Sequence, residues 1–140
     1  MTAKIMLDTN LWVYLYAQNA PEKQTKVKTL VVEHFESIVL SAQILGELYH
    51  VLTRKKLAET AVAKEIILEM VTTFPVLEID TEKVVMALEI HGRYGYSYWD
   101  SLIIAAASLS DCAIIFSEDM HHEQVVENKV RILNPLLDAK

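Results

Sequence analysis

Cysteine, glycine and proline are all scarce in this chain, and no apolar run in it is long. Cys112 is the only cysteine of the 140 residues, so no intrachain disulfide can form. Its neighbours Ala113, Ile114 and Ile115 point to a buried thiol rather than a metal ligand or nucleophile. Such usage suits a reducing cytoplasm. Three glycines and three prolines leave no flexible linker or low-complexity tract, and there is no internal repeat. The longest apolar stretch, residues 102–107, cannot span a bilayer, and residues 1–7 carry too little for a signal peptide. The expectation is a soluble, cytoplasmic protein without a membrane partner. Positive charge is also short: 13 Lys and Arg stand against 19 Asp and Glu, a net charge of −6. That balance opposes nonspecific grip on a polyanion. The objection weakens if several carboxylates gather at one site that a divalent cation neutralises, leaving local basic patches such as Arg54-Lys55-Lys56 free.

What is abundant is apolar residues, 52% of the chain, enough for a sizeable core in one domain spanning 1–140. Lys4-Ile5-Met6-Leu7 reads as a short buried strand ending at Asp8, and a helix opens over 10–16. A helical period covers 24–37. Ser37-Ile38-Val39-Leu40 reads as a second strand, with Ser41 capping a helix over 42–53. Another helix fills 59–74 until Pro75, which lacks the amide hydrogen a helix needs. Val76-Leu77-Glu78-Ile79 makes a third strand, and a helix then runs from 80 to Gly92, taken as its C-terminal cap. A helix over 97–109, a strand over 113–116 and a fifth over 130–133 complete the pattern. Strands alternating with helices imply parallel pairing through right-handed crossovers. The fold class is therefore α/β, a three-layer sandwich with a short parallel central sheet of about five strands. In such sheets ligands bind beyond the carboxyl ends of the strands, the edge where Asp8 and Asp119 fall.

Four acids stand out by position, although each has an ordinary explanation alone. Asp8 follows the first strand and could simply cap the next helix. Asp100, in Ser97-Tyr98-Trp99-Asp100, fits a capping box, yet it shares a helical face with Ile103, Ile104 and Ala107, which must face the core. Glu47 flanks the stripe Ile44, Leu48, Val51 and Leu52, a costly place for a carboxylate unless it has a partner. Asp119 reads alone as a turn acid. Their joint placement carries the weight: two acids come from strand ends and two from helices able to pack over the same sheet edge. Two carboxylates ~4 Å apart repel by about 4 kcal/mol at an effective dielectric near 20. Such a cluster needs protonation or a cation, and an all-oxygen set suits magnesium or manganese far better than zinc.

Leu7-Asp8-Thr9-Asn10, Ser41-Ala42-Gln43 through Glu47-Leu48, Tyr98-Trp99-Asp100-Ser101-Leu102-Ile103 and Phe116-Ser117-Glu118-Asp119-Met120 resemble, in order and spacing, the motifs of PIN-domain ribonucleases of the VapC-type toxin family. Arg131-Ile132-Leu133-Asn134-Pro135 is similar to that family's closing strand, so the resemblance covers nearly the whole chain. It implies metal-binding, catalytic acids at Asp8, Glu47, Asp100 and Asp119, with Asn10 and Ser117 as polar neighbours. One departure falls at Glu123, where a glycine is expected in many relatives. The adjacent His121 and His122 read as solvated loop residues rather than ligands.

The resemblance further implies an endoribonuclease that hydrolyses RNA to a 5′-phosphate and a 3′-hydroxyl with one or two magnesium or manganese ions activating water. That fits the lack of any Ser-His or Cys-His arrangement. Arg54, Lys55, Lys56 and Arg93 are candidates for gripping the RNA backbone, and Tyr94, Tyr96, Tyr98 and Trp99 for stacking on unpaired bases. A cognate antitoxin covering the groove and a homodimer are implied by resemblance alone, with Trp12, Tyr14, Val27 and Leu30 as apolar candidates for a subunit contact. Two other readings stay open: a non-catalytic PIN-like domain that binds RNA or protein, and an aspartate-based phosphatase. The second lacks the aspartate two residues after Asp8 that such enzymes usually carry.

Overall fold

The structure, a computed structural model, describes residues 3–138. Strand β1 (Lys4–Leu7) leads through Asp8 into helix α1 (Thr9–Tyr14). Helix α2 (Pro21–Glu33) carries its proline in the first turn, where the missing amide hydrogen has no partner to lose. Strand β2 (Leu40–Ser41) runs directly into α3 (Ala42–Arg54), because Ser41 both ends the ladder and caps the helix by accepting from Ile44 N. Helix α4 (Thr60–Thr73) stops before Pro75, and strand β3 (Val76–Leu77) follows. Helices α5 (Thr81–Tyr94) and α6 (Tyr98–Leu109) precede β4 (Cys112–Phe116), β5 (Val125–Val126) and β6 (Val130–Leu133).

The main sheet has the order β1-β4-β6-β5, with β2 and β3 in a separate pair. β1, β4 and β6 run parallel, β5 is antiparallel to β6, and a single bridge from Ile5 to Ile38 links the sheet edge to the chain entering β2. The anticipated three-layer α/β sandwich is therefore present, with its parallel sheet split. Residues 35–37, expected to end the helix over 24–37, with Ser37 also opening the second strand, form a 3₁₀ turn. β5 had no signal, since two residues are too few to show a period.

Helix α6 packs on β4 and β6 and is covered by α5. Every residue from 101 to 108 is buried, which explains a sequence apolar all round. The α5 cap is Gly95 rather than Gly92: Gly95 has φ of 80°, the left-handed conformation that a residue without Cβ adopts freely. Trp12, Val27 and Leu30 are core residues and so offer no surface for a subunit contact. Cys112 is buried as expected, and burial pushes its thiol up to about 11. Among the described residues, no helix is long and apolar enough to cross a membrane.

Candidate active site

The parallel register of β1 and β4 sets Leu7 beside Phe116, so the residues that follow each strand leave the sheet together. Asp8 is almost fully buried there. Its Oδ1 accepts from Thr9 N at 2.8 Å and its Oδ2 from the Ser117 hydroxyl at 2.8 Å. Asn10 Nδ2 donates to Asp8 Oδ2 at 3.3 Å and to Asp119 Oδ2 at 2.8 Å, joining the two strand-end carboxylates through one amide. Ser117 Oγ in turn accepts from Asp119 N and Met120 N, which fixes the turn that carries Asp119. Asp8 does cap α1, as the ordinary reading held, but only its Oδ1 is engaged in that way.

Glu47 reaches the same place from α3. Its Oε1 accepts from the Thr9 hydroxyl at 2.6 Å and its Oε2 from Gln43 Nε2 at 3.1 Å. Gln43 Nε2 also donates to the Trp99 carbonyl at 2.9 Å, tying α3 to the first turn of α6 next to Asp100. Both partners are acceptors, so the nitrogen must face them, and the Gln43 carbonyl oxygen is left buried without a partner. Ser97 Oγ accepts from Asp100 N, one half of the anticipated capping box. Asp100 nevertheless lines the same cavity as Asp8, Glu47 and Asp119. Thr9 and Gln43 are the functional neighbours that sequence reasoning passed over. Gln43 could have been found, because it lies one turn before Glu47 on the same helical face.

The electrostatics match the crowding foreseen from sequence. Burial, with added repulsion from Asp100 and Glu47, raises the Asp8 carboxyl to about 6 against the hydrogen bonds from Ser117 and Thr9. Burial first, then Glu47 and Asp119, raises Asp100 as well. Among the described residues none of the four acids forms an ion pair. The acid beside them, Glu118, is instead neutralised by Lys23 at 2.6 Å and by the Tyr14 hydroxyl. The four form an open wall rather than a closed cage: among the described residues no three acidic, His or Cys side chains converge as a ready ligand set. All-oxygen donors, unneutralised by lysine or arginine, fit a hard divalent cation.

The other candidates divide. Lys55 lines the cavity, whereas Lys56 lines a separate hollow with Thr53 and Glu59, and Arg54 is exposed outside both. Arg93 is tied to Glu127 at 2.6 Å and is not part of the cavity. Tyr96 is buried with its hydroxyl on Gln124, Tyr94 bonds Glu127, and neither they nor Tyr98 and Trp99 line the cavity. His122 Nδ1 accepts from Asn134 N, and His121 packs its ring on Tyr96. Both histidines are loop struts.

A mostly parallel sheet with an acid-lined cavity beyond its strand ends is an α/β domain binding at the expected edge. The chain belongs to the PIN-domain family, whose model matches residues 5–128. Solved structures with this fold include VapC20 of Mycobacterium tuberculosis, described as a sarcin-ricin loop cleaving toxin, with TM-score 0.69 and 19% identity over 83% of this chain and 90% of that one. They also include the DNA-bound VapBC of Salmonella typhimurium, with TM-score 0.70 and 16% identity over 96% and 99% of the two chains. A toxin–antitoxin complex from Klebsiella pneumoniae matches with TM-score 0.72 and 13% identity over 94% and 98%. No curated protein matches the sequence.

Proposed function

We propose that this chain is a metal-dependent endoribonuclease that hydrolyses RNA phosphodiester bonds, and that it is the toxin of a toxin–antitoxin pair. The observation that carries the reading is the Asn10 amide bridging Asp8 and Asp119, with Glu47 and Asp100 on the same cavity wall and, among the described residues, no lysine or arginine paired with any of the four. Asp8, Asp100 and Asp119 would hold magnesium or manganese, with Glu47 contributing directly or through water. A bound ion of this kind lowers the pKa of water and stabilises charge on a phosphate. Asn10 and Ser117 keep the strand-end carboxylates aimed at the cavity, and Thr9 and Gln43 do the same for Glu47. The open wall leaves room for the ion to keep several waters, as magnesium does.

The family and the toxin folds similar to this one support RNA as substrate and a cognate antitoxin as partner. We assign 1–140 to one PIN domain acting in the cytoplasm as a homodimer. The test is cleavage of RNA with magnesium or manganese, with and without chelator. Wild type should cut only with metal, and Asp8→Asn and Asp100→Asn should each abolish cutting while still melting cooperatively. Cleavage unchanged by either substitution would remove the proposed role.

A further inference from the structure

The cavity that holds the four carboxylates does not end at them. Its volume is about 640 Å³, within the ~300–1,000 Å³ of small-molecule sites. Its lining also includes the apolar Val13, Ala17, Val51 and Leu57 and the polar Asn19, His50 and Lys55. Helix α3 sets its direction. His50 and Val51 each lie about one turn after Glu47, and Lys55 lies one turn beyond Val51, about 12 Å along the axis from Glu47 at ~1.5 Å per residue.

The two ends differ in charge. Acids gather around Glu47, while Lys55 is the only lysine or arginine in the lining among the described residues. The side chains of Asn19, His50 and Lys55 make no hydrogen bond or ion pair among the described residues, and all three are exposed. Lys56 is turned elsewhere by its left-handed backbone, φ 56°, and lines the separate hollow. Three unpartnered polar groups therefore rim an apolar slot that opens from the proposed metal site.

We infer that this slot is a nucleotide subsite, which takes the unpaired nucleoside next to the scissile phosphate and places the following phosphate on Lys55; the inference rests on the nuclease reading above. The chemistry alternates as single-stranded RNA does. The cation-loaded acids require an anion, Val13, Val51 and Leu57 offer an apolar surface to a base face, Asn19 and His50 offer hydrogen bonds to a base edge, and Lys55 requires a second anion. A base inside a duplex shows no free face, so the occupant is unpaired RNA. Asn19 and His50 are then specificity-determining residues, and Lys55 a binding residue.

The experiment incubates a pool of randomised short single-stranded RNA with manganese, sequences the ends produced, and measures KM and its salt dependence. Wild type, Asn19→Ala, His50→Ala and Lys55→Ala are compared with Lys56→Ala as control. Wild type should prefer certain bases at one position beside the cut, and Asn19→Ala and His50→Ala should flatten that position several-fold with kcat kept. Lys55→Ala should raise KM several-fold and lower the salt slope by about 0.7, one phosphate contact on a single strand, while Lys56→Ala changes neither. Unchanged base preference and KM in all three variants would overturn the subsite and leave the slot to a partner peptide, with the nuclease reading intact. An equal effect from Lys56→Ala would also overturn it, since general surface charge would then explain the grip. No cleavage by wild type would remove both readings together.

Discussion

The Thr9 hydroxyl donates to Glu47 Oε1 across 2.6 Å, joining the first residue of α1 to the middle of α3 over 38 positions of sequence. Asp8 and Thr9 thus act on different acids from adjacent positions: Asp8 presents its own carboxylate, and Thr9 holds that of another element. With Gln43 on Oε2, both Glu47 oxygens have a protein donor. A half-buried carboxylate on an apolar helix face is kept in one conformation by this arrangement, without a counter-ion.

Thr9→Val removes the hydroxyl and nearly keeps the shape. A hydrogen bond to a charged group contributes about 1.5–3 kcal/mol, so cleavage should slow roughly tenfold to a hundredfold in single-turnover assays. Thr9→Ser should restore most of the rate, together with the few degrees of melting temperature that Thr9→Val loses. A Thr9→Val rate equal to wild type would mean that the bond does not set the working position of Glu47.

Asp8 couples stability to pH. Its folded value, about 6, lies above the 3.8 of a free aspartate, so the folded state binds the proton more tightly. The stabilisation is complete below pH 3.8 and is lost as pH rises through about 6. The difference between the two values corresponds to roughly 3 kcal/mol. In chelator, the stability of wild type relative to Asp8→Asn should therefore fall between pH 4 and 7, and added magnesium or manganese should reverse the fall. Denaturant melts across that window read the slope, and a flat difference would show that burial does not raise the Asp8 carboxyl above its ordinary value.

Glu118 and Asp119 are neighbours with different fates. Burial works against the Glu118 carboxylate, but its bonds to Lys23 and Tyr14 outweigh burial and hold it below the ordinary range. It is therefore already neutralised. Glu118→Gln should keep cleavage within several-fold of wild type, whereas Asp119→Asn should lose most of it. Equal losses would place Glu118 in the catalytic set as well.

Glu123 sits at φ 70°, the left-handed region, where the family resemblance led us to expect glycine. A side chain there costs about 1–2 kcal/mol, partly offset in glycine by its greater freedom when unfolded. Glu123→Gly should be more stable than Glu123→Ala, by up to about 1 kcal/mol in denaturant melts. The reverse order would show that the strain is absent in solution.

The placement of the four acids left a local trace, Asp8 after β1, Asp119 after β4, Asp100 opening α6 and Glu47 beside the apolar stripe of α3, whereas Asn10 and Ser117 were expected from the family resemblance alone. The basic and aromatic candidates were less legible. Arg54, Lys55 and Lys56 are consecutive, yet a helix end and one left-handed residue send Lys55 into the cavity and Lys56 away from it. Arg93 met Glu127, which is 34 positions on, and no local pattern announces such a pair.

The order of the helices and of every strand but β5 was set by sequence alone, because apolar period, caps and prolines act over a few residues. Tertiary structure decided which donors hold each carboxylate, the division of the sheet into two parts and the continuation of the cavity toward Asn19 and Lys55. Those depend on contacts between residues far apart in the chain, where hydrogen bonding and packing choose among partners that local composition does not distinguish.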